Sequence, residues 1–372
     1  MSVRRFVTIA GVIGLAVLAG CAWHGNDESN ENEEVQQSLL WFSAHQDQML
    51  VAYLLSDLEV SGSPEAVIAI DTSGFAGNPQ GLALGRNGSL WMASWWDSVI
   101  VRFDAAQFAG GAVPTAPAYS FGSDDMWRPM AIAFDDSGNL WVADDGYASI
   151  LVFPGVADIT ATSETPQELN PARAYWGLVS PYGLALSPDG SLVYVADLYG
   201  SVYRFALAEL EALPFDDELG EPWVKIDVES APGSIALGEP NAVAFDPYGN
   251  LWVSDYTRSV HRITNPSTTI TGSIASDDPG VATFVFYRDA AGRDAEDSLY
   301  VSSIAFDRDG NLWVEDGFTA AGELLRFSSA ALASDGGDLT AQIIIGDAPV
   351  SKHAGHFVVA PPPPGLLPFS AQ

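Results

Sequence analysis

The sequence is poor in cysteine and in basic residues. One cysteine among 372 residues excludes an intramolecular disulfide, a zinc site built from several cysteines and a cysteine redox pair. Lys and Arg number 15 against 48 Asp and Glu, and only two of the cations, Lys225 and Lys352, are lysines. The net charge of −33 repels phosphate backbones and anionic lipid headgroups, which argues against nucleic acid as a partner. Hydrophobic residues still make up 48% of the chain, enough to fold around a sizeable core.

The N-terminal residues are predicted to form an export signal. Arg4 and Arg5 precede an apolar run at 6–17, which is shorter than the ~20 residues of a membrane-spanning helix. Leu-Ala-Gly-Cys at 18–21 resembles the lipobox of bacterial lipoproteins, which implies cleavage before Cys21 and its lipidation, palmitate included. An ordinary secretory signal with a chance cysteine is the alternative. Ala22 resembles the outer-membrane sorting pattern of Gram-negative lipoproteins.

Three regions follow from this interpretation. Residues 1–20 are expected to be the signal peptide and residues 21–38, polar and acidic, a disordered tether. Residues 39–370 are expected to form a single domain, bound to the outer membrane or to the outer face of the cytoplasmic membrane of a bacterium through lipid only.

The sequence of that domain contains an internal repeat. Five segments superimpose, each an alternating strand, a turn with Gly and a second strand that carries Leu-Trp-Val or a variant; they begin at Gly81, Ala131, Gly183, Ala242 and Ser303. Their aromatic residues are 50, 53, 58 and 61 residues apart: Trp91, Trp141, Tyr194, Trp252 and Trp313. A third alternating strand follows each hairpin, and a fourth precedes the next repeat. A four-stranded unit repeated in this way predicts an all-β fold, the β-propeller.

The two ends of the chain are predicted to complete a sixth blade. Residues 38–55 have a second and a third strand, with Trp41, but no inner strand before them. Residues 355–367 supply an inner strand with nothing after it. Joined, they close a six-bladed propeller and remove the exposed edges of an open array. A rod-like stack of hairpins is the alternative, but it needs no complementary half-repeats.

The repeat resembles two known groups of propellers. The pattern D-x-x-G-N-L-W-V-A/S-D, best seen at 135–144, 246–255 and 307–316, followed by S-x-x-R-F/I, resembles NHL-repeat propellers. It is less closely similar to the senescence-marker-protein/gluconolactonase propellers, whose enzymes hold a divalent metal at the channel mouth. Only Asn241 matches their Pro-Asn-Gly step, and Ala242 replaces the Gly.

Candidate site residues are expected at one mouth of the central channel. The residue before each inner strand should project there, which gives the ring Gln80, Met130, Tyr182, Asn241, Ser302 and Gly355. The channel-mouth candidates for ligand binding are Gln80, Arg128, Tyr182, Asn241, Ser302, Glu315, His353 and His356. No catalytic residue is assigned. The weak metal candidates are Asn241 and Glu315, and Ca²⁺ is the ion that oxygen ligands of this kind would bind.

Glu315 stands where the other blades have Ala or Ser. A carboxylate at that position must be solvated, paired or a ligand, and register places it beside Ser303. A Glu solvated by channel water, with no role, is the simpler interpretation. The four Asp residues that end second strands are expected to bond loop backbone rather than calcium: Asp144, Asp197, Asp255 and Asp316. The Asp-x-Asp-Gly-Asn run at 307–311 resembles an EF-hand start but lacks the later ligands, so we expect a hairpin turn.

These observations predict a lipid-anchored, monomeric propeller that binds a protein or a small ligand at the channel mouth. A metal-dependent hydrolase or lyase of the gluconolactonase-like or streptogramin-lyase-like kind is the alternative. Long inserts at 206–222, which begins with a helix-like run, and 287–298 are expected to be surface loops where a partner could bind.

Overall fold

The computed structural model describes residues 39–45, 47–85, 87–163, 165–199, 201–212, 217–218, 224–226, 228–229, 238–256, 259–266, 274–275, 279–288, 299–316, 323–345 and 357–360. The predictions for the signal peptide, Cys21, the tether, the insert at 287–298 after Arg288, His353, Gly355 and His356 lie outside them. Six sheets of four main strands form the six blades of a β-propeller, which confirms the predicted fold class. No helix among the described residues has the length or apolar content needed to cross a bilayer.

The strands follow the repeat. The chain begins with β1 (Leu39–Ala44), β2 (Met49–Leu54) and β3 (Ile68–Asp71) of blade 6. Blade 1 contains β4 (Pro79–Leu84), β5 (Leu90–Ser94), β6 (Val99–Phe103) and β7 (Tyr119–Gly122). Blade 2 contains β8 (Pro129–Phe134), β9 (Leu140–Asp144), β10 (Ser149–Phe153) and, after the two-residue β11 (Gln167–Glu168), β12 (Arg173–Trp176). Blade 3 contains β13 (Pro181–Leu186), β14 (Leu192–Asp197), β15 (Val202–Ala206) and, after β16 (Asp217–Glu218), β17 (Val224–Ile226).

The remaining strands complete the ring. After β18 (Val228–Glu229), blade 4 contains β19 (Pro240–Phe245), β20 (Leu251–Asp255), β21 (Ser259–Ile263) and, after β22 (Ile274–Ala275), β23 (Val281–Tyr287). Blade 5 contains β24 (Val301–Phe306), β25 (Leu312–Asp316), β26 (Glu323–Phe327) and, after β27 (Gly337–Thr340), β28 (Ile343–Ile345). The last strand is β29 (Phe357–Ala360). The described helices are α1 (Leu207–Leu210), α2 (Ser329–Leu332) and the 3₁₀ turns Leu55–Leu58, Ala105–Gly111 and Val156–Asp158.

Blade 6 is closed by the two ends of the chain, as the sequence predicts. β29 pairs antiparallel with β1, so that Trp41 lies opposite Val358 and Phe42 opposite Phe357. β29 also contacts the inner strands of both neighbouring blades, β24 and β4. Six hydrophobic clusters fill the six interfaces between adjacent blades; Trp41 belongs to the one with blade 1 and Phe42 to the one with blade 5. The described strands therefore form a closed ring.

Adjacent inner strands touch backbone to backbone where the repeat has its smallest residues. A Cβ on Gly81 would lie 2.7 Å from the carbonyl oxygen of Met130, and one on Gly183 would lie 2.8 Å from that of Asn241. Side chains cannot fit at such distances, because carbon and oxygen atoms repel below about 3 Å. Close approach of neighbouring blades thus explains the glycines that open two of the repeats.

The repeat motif is a hydrogen-bond network that holds the second-strand tryptophan. In the turn of blade 5, Asp307 accepts hydrogen bonds from the backbone N–H of Asn311 (2.9 Å), from its side-chain amide and from Nε1 of Trp313 (3.0 Å). Arg326, opposite Trp313 on the next strand, lies over the indole at 5.8 Å. Gly310 takes a φ of 76°, which favours glycine. The run at 307–311 is therefore a hairpin turn, as predicted.

We expect Asp307→Ala to lower the free energy of unfolding by about 2–3 kcal/mol, because it leaves the buried Nε1–H of Trp313 without its acceptor. Asp309→Ala is the matched control, since Asp309 is an exposed carboxylate in the same turn and its loss should cost at most about 0.5 kcal/mol. Chemical denaturation of the three proteins measures both values. Equal destabilisation by the two substitutions would contradict the network.

Part of the longer connections between repeats forms additional edge strands, which were not predicted. β11 pairs parallel with β7 of the preceding blade, β16 with β12, and β27 with β23. The insert at 206–222 begins with a single helical turn, α1, as expected. Part of the inserts therefore ties neighbouring blades together at the rim instead of forming free surface loops.

Candidate functional site

The predicted ring lies at the end of the channel where inner strands begin and second strands end, which we call the mouth. Its described members are the second residues of inner strands, not the residues before them, because the strands begin two residues earlier than expected. A β-bulge shifts the register at each of these positions: Gln80, Met130, Tyr182, Asn241 and Ser302. Bulges re-aim side chains and are frequent next to binding sites.

Most of this ring is buried between blades instead of lining an open mouth. Gln80, Met130, Asn241 and Ser302 are at most 8% exposed. The Gln80 side-chain amide lies 2.8 Å from Nδ1 of His45 in blade 6, and the Gln80 carbonyl accepts a hydrogen bond from Ser43. Tyr182 is half-buried. The ring therefore joins neighbouring blades, and only part of it faces the mouth.

Asn241 joins blades 4 and 5. Its side-chain amide donates to the carbonyls of Val301 (3.0 Å) and Ser302 (2.7 Å), and its oxygen accepts from the hydroxyl of Ser254 (3.0 Å). Both ends of the amide are thus engaged in protein hydrogen bonds. The geometry supports a structural role for Asn241 in positioning the inner strands.

Glu315 lies beside Ser303 at the mouth, as the register predicted. It is 1% exposed, and its Oε2 accepts a hydrogen bond from the Ser302 hydroxyl at 2.9 Å. The carboxylate is therefore enclosed by protein. This corrects the expectation that water in an open channel would solvate Glu315. A carboxylate buried this deeply is costly unless its oxygens are hydrogen-bonded.

Two tyrosines extend this buried group toward the mouth. The rings of Tyr182 and Tyr256 meet edge to face at 6.5 Å. Burial, with the nearby Asp145 and Tyr199, raises the pKa of Tyr182 to about 12, and Arg128 opposes the shift. Burial raises the pKa of Tyr256 further, with added contributions from Tyr182 and Glu315. Both phenols therefore stay neutral at physiological pH and keep an O–H that can donate a hydrogen bond.

No three His, Cys, Asp or Glu side chains among the described residues come together in an arrangement that could hold a metal ion. The predicted pair Asn241 and Glu315 lies in one cluster, but the Asn241 oxygen already accepts from Ser254. His353 and His356 lie outside the described residues. The metal prediction stays a prediction.

A second group of residues covers the outer rim of the same mouth. We call it the aromatic crescent: Trp95, Trp96, Trp127, Tyr147 and Trp176, with Arg128 in its centre. Its side chains form an unbroken series of contacts from blade 1 to blade 2. Five aromatic side chains of the described residues are more than two fifths exposed, and four of them, Trp96, Trp127, Tyr147 and Tyr199, lie at the mouth; the fifth, Tyr248, is on the opposite face. Exposed apolar surface gathered in this way is typical of a binding site.

Arg128 is the predicted candidate that the structure places in the crescent. Its guanidinium lies over the indole of Trp95 at 4.8 Å and over that of Trp127 at 4.5 Å. Stacking on two indoles fixes the plane of the guanidinium and leaves its N–H edge as a set of donors. Arg128 has a φ of 66°, a left-handed conformation that non-glycine residues rarely adopt. Such strain is frequent at functional sites.

The carboxylate of Asp144 organises the loops of the crescent. Asp144 is fully buried, and its oxygens accept hydrogen bonds from the backbone N–H groups of Trp127 (2.6 Å) and Tyr147 (2.9 Å). Burial raises the pKa of Asp144 to about 7, although these hydrogen bonds oppose the shift. The Asp residues that end other second strands also bind loop backbone, as Asp197 does with Val179 and Ser180. Their predicted role in loop architecture is confirmed.

The aromatic members of the crescent were not among the predicted site residues. The predicted residues are mostly polar and adjoin the inner strands, whereas Trp95, Trp96 and Tyr147 lie in the loops between second and third strands. The signal that could have found them is the pair Trp95–Trp96 directly after the second strand of one repeat, where the other repeats have none. Loops that differ among repeats are where propellers acquire specificity.

Comparisons with known proteins add little beyond the fold. No protein-family model matches the sequence, and no curated protein matches it. Among solved structures, the chain is similar to one described as a streptogramin B lyase structure, with 16% sequence identity and a TM-score of 0.42. That match covers 68% of this chain and 66% of the lyase chain, which is slightly less than two thirds of it.

Proposed function

We propose that this chain is a ligand-binding propeller of the bacterial cell envelope, NHL-like in its repeat, whose ligand binds at the mouth. The observation that supports the proposal best is the concentration of exposed aromatic side chains there: Trp127, which stacks on Arg128, is 44% exposed, and Trp96, which packs on Trp95, is 67% exposed. Folded proteins rarely leave such rings in water without a partner. The ligand is a small molecule or a segment of another protein.

Lipid anchoring through Cys21 remains part of this proposal. Leu39, the first described residue, pairs with Ala360 at the end of β1 that is remote from the mouth, whereas Ala44 and His45 lie at the mouth end. A chain anchored through Cys21 would enter the propeller at Leu39, so the tether would join the face opposite the mouth and leave the mouth open to a ligand. Growth of the producing bacterium with labelled palmitate tests the anchor: the wild type should be labelled and Cys21→Ser should not.

An enzyme is the second candidate function, and the buried cluster supports it. Glu315, bonded to Ser302 and close to the neutral phenol of Tyr256, is a possible acid or base, and a metal-dependent hydrolase or lyase would place its ion beside such a carboxylate. The exposed crescent has no evident role in that chemistry, which is why we prefer the binding module.

Metal analysis separates the two candidates. We expect the purified, chelator-rinsed protein to carry less than stoichiometric metal and to turn over no lactone. One metal ion per chain in the wild type, lost in Glu315→Gln and in Asn241→Ala, would favour the enzyme. Asp309→Ala is the matched control, because it removes a carboxylate from a hairpin turn remote from the mouth and should leave the metal content unchanged.

A further inference from the structure

The aromatic crescent is a continuous surface of contacting side chains, in which neighbouring rings are inclined to one another by 48–69°. The ring centroids and the guanidinium carbon of Arg128 lie 4.5–6.1 Å from their neighbours along the series Trp95, Arg128, Trp127, Tyr147 and Trp176. Trp96 packs beside Trp95 at 5.6 Å and extends the surface outward. The distances are those of rings in van der Waals contact.

Backbone contacts hold the exposed rings in place before any ligand arrives. Asp144 binds the N–H groups of Trp127 and Tyr147, and Gly146 donates its N–H to the Trp127 carbonyl at 2.8 Å. A Cβ on Gly146 would meet Cδ2 of the Trp127 ring at 2.8 Å, so the glycine lets the indole lie against the loop. Rings fixed in this way lose little conformational entropy when they bind, which raises affinity.

Polar groups beside the rings are mainly acceptors. Asp97 follows Trp96 directly and is exposed; it accepts from the Ser94 hydroxyl at 3.2 Å. Asp145 donates its N–H to the carbonyl of Arg128, and its side chain accepts from the Ser180 hydroxyl at 2.5 Å. An ionised carboxylate has about four lone-pair sites, so each has acceptor capacity beyond these bonds. The surface therefore suits a ligand that brings both apolar faces and many hydrogen-bond donors.

We propose that the crescent binds a neutral glycan. This rests on the proposed function of the mouth as a ligand site and names the ligand class. The axial C–H groups of a pyranose ring form an apolar face that packs on an indole, and its hydroxyls donate to carboxylates and accept from a guanidinium. Residues Trp96, Trp127 and Tyr147 supply the ring faces, and Asp97, Asp145 and Arg128 supply the edge contacts.

Other ligand classes fit the same surface less well. The net charge of −33 repels acidic glycans and nucleic acids. A quaternary ammonium ligand needs an aromatic cage, but the space between Trp95 and Trp127 holds Arg128. A proline-rich peptide offers carbonyl acceptors and few N–H donors, so it leaves the remaining acceptor capacity of Asp97 and Asp145 unused.

Calorimetry with defined probes tests the proposal. The purified full-length protein is titrated with cellohexaose, xylohexaose, mannohexaose, laminarihexaose and chitohexaose, with a hexamer of galacturonate and with a proline decapeptide. At least one neutral hexasaccharide is expected to bind, and Trp96→Ala and Trp127→Ala are each expected to weaken it by about tenfold or more, roughly 1.4 kcal/mol. Tyr248→Ala is the matched control: it removes an aromatic ring that is 77% exposed on the opposite face, and it should leave the affinity unchanged.

Each alternative result leads to a definite conclusion. In one such result, no neutral glycan binds, but the decapeptide or the galacturonate hexamer does, and Trp127→Ala abolishes that binding. The mouth is then a ligand site and the glycan proposal is wrong. If a glycan binds but only Tyr248→Ala weakens it, the crescent is not the site and the proposed function fails as well. If none of the probes binds at millimolar concentration, the glycan proposal is rejected. Circular dichroism spectra identical to the wild type exclude unfolding as the cause of lost binding.

Discussion

Ending the chain before β29, at residue 356, is expected to abolish the cooperative unfolding of the propeller. The truncation removes the antiparallel partner of β1 and the strand that separates β24 from β4. It exposes the edge of β1 and opens the clusters on both sides of blade 6, which contain Trp41 and Phe42. Because a domain is stable by only about 5–15 kcal/mol, losing one strand that supports three sheets exceeds what the fold can tolerate.

Calorimetry and tryptophan fluorescence measure this effect. The truncated chain should show no thermal transition, or one displaced by tens of degrees, and should aggregate through the open edge. A synthetic peptide that covers residues 355–367 should restore part of the transition by strand addition. An unchanged unfolding midpoint after truncation would show that β29 does not close the ring.

The second large effect is expected at the contact between blades 3 and 4. In Gly183→Val, the new Cβ would lie 2.8 Å from the Asn241 carbonyl oxygen and 2.9 Å from Cα of Ala242, both backbone atoms that cannot rotate away. Overpacking of this kind costs about 1–3 kcal/mol for small side chains and more for a branched one against backbone. Displacement of Ala242 also moves Asn241, so the hydrogen bonds of Asn241 to Val301 and Ser302 should weaken.

Denaturant unfolding measures the loss in Gly183→Val, expected at about 3 kcal/mol or more. The matched control is Gly74→Ala, because no atom lies within 4 Å of a Cβ at that position and the change should cost at most about 0.5 kcal/mol. If Gly183→Val were as stable as Gly74→Ala, the adjacent inner strands could not touch as described.

The sequence predicted the fold in detail because the repeat carries two independent signals. Alternating apolar residues gave the strands, and the recurrent Asp, Gly and Trp gave the turn; the structure shows the reason, since Asp307 binds Nε1 of Trp313 across the hairpin. The half-repeats at the two ends predicted the pairing of β1 with β29. Additional edge strands such as β11 and β27 were missed, since they are only two and four residues long and lie outside the repeated pattern.

The candidate site was predicted less completely. Sequence spacing placed Glu315 beside Ser303 correctly, because register follows from the hairpin. It could not show that Asn241 is buried among its own hydrogen bonds, because that depends on the neighbouring blade. Nor could it assemble the crescent, whose rings come from separate loops and meet only through the packing of blades 1 and 2.

The closed ring is the central claim, because the mouth exists only if β29 lies next to β1. Residues opposite each other on antiparallel strands have Cα atoms about 4.5–5.5 Å apart, within disulfide range. In a Cys21→Ser background, Leu39→Cys with Ala360→Cys should therefore form a disulfide on mild oxidation. Leu54→Cys with Ala360→Cys should not, because Leu54 is on β2, two strands from β29 and about 10 Å away. Mass spectrometry should find the crosslink between positions 39 and 360 and none between positions 54 and 360. Absence of the 39–360 crosslink, with or without the 54–360 crosslink, would contradict the closed ring.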